Sequence, residues 1–264
     1  MHVVTTMNKK VYEDFGYRLL DSLKKHAPVR VLVYSEDDSL LKLVEDRYGS
    51  FQAKPFDKNL GFFLDSIDSN EKVGFKSVGL KKIERFLKTL LRHGSFDYQS
   101  RFYDFLYDSR RFSFKSFAYA DALINISDHI MYLDADCHLD SNMPVDDLEA
   151  HLLQASDYAF FGRDTFTETG ILYFNNSDLR FQKFGLMVQD MYLSGAIYDL
   201  DKWTDCHVFD YVRNYFSKSF VGRNLNPNPS DMHPIATSMF SDWIDHRKGP
   251  RKHTLGSLER AKDI

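Results

Sequence analysis

The sequence predicts an α/β fold with a largely parallel sheet. Two β-branched runs each lead into a helix-patterned stretch within the first fifty residues, and further apolar runs of strand length alternate with helical patterns downstream. At 264 residues the chain suits one domain with a full core.

"HVVTT" reads as the first strand. After "MNKK", Tyr12, Phe15, Leu19, Leu20 and Leu23 recur on one face of a helix over 11–27. "VRVLVYS" is a second strand, and "SLLKLVEDRYG" a second helix ending at Gly49. From there to about Phe75 no pattern is clear. "VGLKKIERFLKTLLRHG" and "FKSFAYADALINI" have helical spacing, while the aromatic, charged stretch between them has none. Ile130–Leu133 reads as a buried strand, "PVDDLEAHLLQA" as a helix, and "YAFFG" and "GILYFN" as strands. "DLRFQKFGLMVQDMYLSG" and "DCHVFDYVRNYF" read as helices, followed by a turn-rich "NLNPNPSDMHP" and a basic tail.

A net charge of −4 argues against nucleic acid as the main partner. No apolar run approaches the roughly 18 residues of a membrane span, so contact with a membrane would be peripheral, through the basic tail. Two cysteines cannot build a disulfide framework, and no signal-peptide pattern opens the chain; the expectation is a cytoplasmic protein. Aromatic residues, at 15%, suit a generous core and equally suit stacking against nucleotide or sugar rings. There is no P-loop, GxGxxG, CxxC or GxSxG motif.

The chemistry concentrates in "IMYLDADCHLD". Asp134 and Asp136 follow an apolar strand, and on extended backbone side chains two apart point the same way, roughly 6–7 Å between Cα atoms. Both carboxylates can therefore reach one hard cation, Mn²⁺ or Mg²⁺, which keeps open positions for phosphate oxygens. An acidic turn at the end of a strand has the same pattern. Dehalogenase-type phosphatases also place DxD after an apolar run, but near the start of the fold and with a later acidic partner; here the motif lies mid-chain and no such partner stands out.

In its mid-chain DxD the sequence resembles GT-A-fold glycosyltransferases. The tail "DHRKGPRKH" adds the H-x-x-G-x-x-K spacing of the glycogenin-like family 8 enzymes, with His246, Gly249 and Lys252. The resemblance implies a Rossmann-like mixed sheet flanked by helices, a nucleotide-sugar half over 1–136, an acceptor half over 137–220, and a segment over 221–264 that closes the donor site. It implies that Asp134, Asp136 and His246 hold the metal, while Asp134, Gly249 and Lys252 approach the donor phosphates. "TTMNKKVY" is similar to the family's nucleoside segment, making Thr5, Thr6, Asn8 and Tyr12 donor candidates, although Tyr12 suits the core equally. Lys115, with Arg111 nearby, lies where the family has a lysine-bearing helix. A looser likeness to phage and bacterial polysaccharide-cluster transferases rests on "RFSFK" and "DCHVFDYVR".

Two segments depart from the pattern. In "TETGILYFN", Glu168 and Thr169 stand where the family has asparagine and a small residue, and in "WTDCHVFDYV" Cys206 follows Asp205 in place of glutamine. Glu168, Thr169 and Asp205 are the expected polar wall around the sugar, and Asp205 would also serve as a helix N-cap. The implied reaction moves a sugar from a UDP-sugar to a glycan, lipid-linked or other hydroxyl acceptor. Anomeric configuration would be retained, or inverted if Glu168 or Asp205 acts as a base. A dehalogenase-type phosphatase and an inert nucleotide-sugar-binding protein are the alternatives.

Overall fold

A computed structural model of the chain describes residues 1–68, 104–145, 156–226, 228–230 and 233–248. The strands are β1 (His2–Thr6), β2 (Arg30–Ser35), β3 (Gln52–Pro55), β4 (His129–Leu133), β5 (Cys137–Leu139), β6 (Tyr158–Phe161), β7 (Glu168–Asn175), β8 (Gly222–Asn224) and β9 (Ile244–His246). Seven form a sheet in the order β3-β2-β1-β4-β7-β6-β8, and β5 pairs with β9 in a small second sheet. In the large sheet β7 runs against both neighbours, and the other pairings are parallel, so the sheet is mixed.

Strand alternation builds the two sides of the core. Val4, Leu32, Tyr34, Ile130, Tyr132, Leu172 and Phe174 face one layer, and Val3, Val31, Val33, Met131, Leu133, Ile171 and Tyr173 the other. The first layer is covered by α4 (Lys58–Asp68), α5 (Ser109–Asn125), α6 (Gln182–Leu193) and α7 (Asp205–Tyr215). The second is covered by α2 (Tyr17–His26) and α3 (Asp38–Tyr48), with Phe240, Trp243 and Ile244 of the C-terminal segment. The helix expected over 11–27 forms in three pieces: α1 (Lys9–Val11), a π-helical segment at Tyr12–Gly16, and α2.

The stretch with no clear pattern after Gly49 holds β3 and α4. β3 is an edge strand with no fully buried residue, so it lacks an apolar signature, and an edge tolerates its Pro55. In α4, Leu60, Phe63 and Ile67 are buried at i, i+3 and i+7. The helix expected over 78–94 and nearly all of that over 144–155 lie outside the described residues.

The topology creates the site. From β1 the chain moves outward to β2 and β3, then returns to β4 on the other side of β1. Where the winding reverses, the loops after β1 and β4 diverge and leave a crevice at the carboxyl ends of the strands. Thr6–Asn8 and Asp134–Asp136 lie at that reversal.

Candidate functional site

A cavity of about 790 Å³ opens at the reversal. Of the residues singled out above, Thr6, Asn8, Arg111, Lys115, Asp134, Asp136 and Asp205 line it, together with Glu36, Arg110 and Tyr132. Thr6 donates its hydroxyl hydrogen to the Tyr34 carbonyl at 3.1 Å, and the Asn8 carboxamide oxygen caps α1 by accepting from the Val11 amide at 2.9 Å. Arg110 and Arg111 are exposed in the first turn of α5. Thr5 and Tyr12 are not on the cavity wall. Thr5 is fully buried in β1, and the Tyr12 hydroxyl, in the core, accepts from Arg47 at 3.1 Å. Gly249 and Lys252 lie outside the described residues.

Lys115, on α5, is the cationic centre of the cavity wall. Its Nζ lies 2.9 Å from Asp134 Oδ1, 2.9 Å from Asp205 Oδ2 and 3.0 Å from Thr169 Oγ1, so its three N–H groups have acceptors. Burial disfavours its charge, yet the two carboxylates outweigh that and hold its pKa above the ordinary lysine value. Asp205 does not cap α7. Thr204 does, accepting from the His207 amide, which leaves Asp205 free to turn inward to Lys115 and to accept from Thr169 Oγ1 at 2.5 Å.

The second centre forms where β9 meets the end of β4. Because Cys137 pairs with His246, the imidazole is set beside the acids: Nε2 is 3.0 Å from Asp136 Oδ1 and 3.8 Å from Asp134 Oδ2. Gly170, in β7, makes this approach possible, since a Cβ there would stand 2.3 Å from His246 Cε1. Burial opposes the charged imidazole, but Asp136 and then Glu168 favour it and raise its pKa above 6.5. Burial, with Asp136 adding to it, pushes Asp134 above the usual carboxylate value against the pull of Lys115 and His246.

Glu168 is buried beside His246 and is not among the residues that line the cavity. Burial alone would raise its pKa; Lys248, His246 and Arg163 overcome this and hold it at about 2. Arg163 Nη1 is 3.2 Å from Glu168 Oε2, and Lys248 forms an ion pair with the same oxygen. Gly170, Arg163 and Lys248 carry no role in the sequence reading. For Gly170 the signals were its match to the glycine that closes the family's asparagine–small–glycine segment and its place inside an apolar strand, where a glycine often marks a close approach.

Among the described residues two groups of side chains could each hold a metal ion: ligand atoms of Asp134, Glu168 and His246 lie within 4.8 Å of one another, as do those of Asp136, Cys137 and His246, so each expected acid meets His246 but in a separate group. Neighbouring ligands around an octahedral ion with bonds of 2.0–2.1 Å stand about 3 Å apart, the spacing of His246 Nε2 and Asp136 Oδ1.

No family model and no curated protein matches the sequence. Solved structures do match. The neighbours in shape are glycosyltransferases. The apo form of GlyE from Streptococcus pneumoniae TIGR4 is 14% identical, with a TM-score of 0.44, over 84% of this chain and 44% of its own. Apo mouse xyloside xylosyltransferase 1 is 11% identical, with a TM-score of 0.47, over 85% and 84%. The galactosyltransferase LgtC, solved with donor and acceptor sugar analogs, is 12% identical, with a TM-score of 0.49, over 95% and 88%. This chain thus spans less than half the length of GlyE, and likeness at this level concerns shape alone.

Proposed function

We propose that the chain is a metal-dependent glycosyltransferase that moves a sugar from a nucleotide-diphospho-sugar, with UDP as the carrier, to a hydroxyl acceptor. The observation that carries this reading is the meeting of Asp134 and Asp136 with His246, from the far end of the described chain, beside a cavity at the point where the sheet's winding reverses. Nucleotide-sized ligands occupy such crevices, and a divalent ion held by carboxylates and an imidazole would keep open positions for the oxygens of a diphosphate.

In this reading Asp134, Asp136 and His246 hold Mn²⁺ or Mg²⁺. The bound ion supplies neutralisation of the charge that develops on the departing nucleoside diphosphate. Lys115, fixed by three acceptors, adds a second positive charge at the same wall, and Arg110 and Arg111 present guanidinium groups at the cavity for an entering anion. Thr6 and Asn8 border the end where the nucleoside would lie.

Retention of configuration is part of the proposal. Glu168, with a pKa near 2 and two cationic neighbours, is too weak a base to take the acceptor's proton. Asp205 has contacts at both carboxylate oxygens, Oδ2 from Lys115 and Thr169 and Oδ1 from the Cys206 thiol, so neither acid is poised as a dedicated base. A departing phosphate oxygen on the same face is then the proton acceptor. Two free cysteines fit the reducing cytoplasm that the proposal assumes.

The test is a screen of nucleotide-sugars for thermal stabilisation with Mn²⁺ and for release of nucleoside diphosphate. UDP-sugars should raise the melting temperature of the wild-type chain, and Asp136→Asn and His246→Ala should abolish the shift. If both variants keep it, the site is misassigned; if phosphomonoesters turn over through a phosphorylated Asp134, the phosphatase reading replaces this one.

A further inference from the structure

Strand β9 reaches the site from the core. Phe240, Trp243 and Ile244 are buried with Phe161 and Leu139, and after Ile244 the chain carries Asp245, His246, Arg247 and Lys248, none of them apolar. Polar contacts therefore decide where the imidazole comes to rest. The Arg247 amide donates to the Asp136 carbonyl at 2.9 Å, and the Lys248 ammonium pairs with Glu168.

Glu168 is held from its own sheet before Lys248 meets it. The Arg163 guanidinium beside it is buried, donates through Nε to the Phe166 carbonyl at 3.1 Å, and lies 4.5 Å from the centre of the Phe166 ring. The Gly170 amide donates to Glu168 Oε1 at 3.1 Å. The carboxylate is thus a fixed receptor, and Lys248, a third exposed, is the piece that the C-terminal segment brings to it.

We propose that Glu168 and Lys248 form a latch that positions His246 against Asp134 and Asp136, making Glu168 a positioning residue for the cation site, with no part in the sugar wall or in proton transfer. The inference rests on the reading of that site as a divalent-metal centre. Ile244, two residues before His246, is anchored by packing, and Lys248, two residues after it, by the ion pair. Ile244 lies two residues back along β9, and past His246 the chain turns, the Lys248 amide donating to the His246 carbonyl at 3.2 Å, which brings the Lys248 side chain to Glu168. With Gly170 in front and Asp136 beside it, the imidazole has one place to go. A ligand held in place before the ion arrives loses less freedom on binding, and partners of this kind are typically worth about 10–100-fold in metal affinity.

For Lys248, charge alone and the latch predict opposite signs, which makes its replacement the decisive test. Removing a positive charge close to a cation site should tighten cation binding. The latch predicts that Lys248→Met weakens it. The measurement is titration of the whole chain, without donor, with Mn²⁺, reading the free ion by electron paramagnetic resonance.

Lys248→Met and Glu168→Gln should each lower Mn²⁺ affinity by about tenfold, the double variant should be no worse than either single, and Lys248→Arg should stay close to wild type. Lys248 is partly exposed, so Lys248→Met reports on the latch even where Glu168→Gln compromises folding. Unchanged or tighter binding in Lys248→Met overturns the latch. Failure of the wild-type chain to bind Mn²⁺ overturns the metal reading and the latch with it, so the two failures are distinct.

Discussion

Gly170→Ala is the smallest change that should disable the site. An alanine Cβ at this position would lie 2.3 Å from His246 Cε1, 2.8 Å from Nδ1 and 3.1 Å from Glu168 Oε1. Backbone conformation is not the obstacle, since Gly170 is not among the glycines with positive φ. The strand cannot retreat, because β7 is paired with β4 on one side and β6 on the other. The imidazole must therefore withdraw by about 1 Å to reach ordinary van der Waals contact, which begins at 3.4 Å. That displacement breaks the 3.0 Å approach of Nε2 to Asp136. Overpacking of this kind costs about 1–3 kcal/mol of stability. The loss of an oriented imidazole should cost about 10–100-fold in Mn²⁺ affinity. Urea denaturation and Mn²⁺ titration measure the two effects separately. A folded Gly170→Ala variant with wild-type Mn²⁺ affinity would refute the account of how His246 reaches the acids.

Replacing Lys115 by methionine leaves Asp134 and Asp205 facing each other without their shared cation, and urea denaturation should show a loss of about 3 kcal/mol. Mn²⁺ should restore part of that loss; a cost below about 1 kcal/mol would show that Lys115 is not the keystone of the wall. The raised pKa of His246 gives the metal-free chain a stabilisation that is complete below its unfolded value of about 6.5 and is lost as pH rises through the higher folded value. Mn²⁺ needs the neutral imidazole, so its binding should strengthen over that same window. Denaturation of the metal-free chain and Mn²⁺ titration, each from about pH 6 to pH 8.5, should thus trend in opposite directions, and parallel trends would remove His246 from the ligand set.

Strands β1, β2 and β4 were legible because β-branched and apolar runs of strand length leave few other conformations, and α3 because its apolar face repeats with the helical period and stops at Gly49. Edge strand β3 buries none of its residues fully, so hydrophobicity could not announce it. Neighbours in the chain were also easily mistaken for neighbours in the site. Thr5 and Thr6 are adjacent, yet strand alternation turns Thr5 into the core and places Thr6 on the cavity wall. Tyr12, four residues beyond Asn8, is carried by the helix toward Arg47.

By itself the sequence determined what short-range physics decides: the alternation of strand and helix, the mixed α/β class, and two acids just beyond β4, although a turn closed by the Cys137 amide on the Asp134 carbonyl at 2.9 Å takes the place of the extended backbone expected there. Only the tertiary structure decided which distant groups share their space. Whether His246 meets Asp136 depends on the antiparallel register of β5 with β9. Whether Lys115 joins Asp134 to Asp205 depends on how α5 packs against the sheet. Glycine at 170 matters only because an imidazole from another segment fills the space its missing side chain leaves. Such contacts are set by packing among elements far apart in the chain, and no spacing along the sequence encodes their distances.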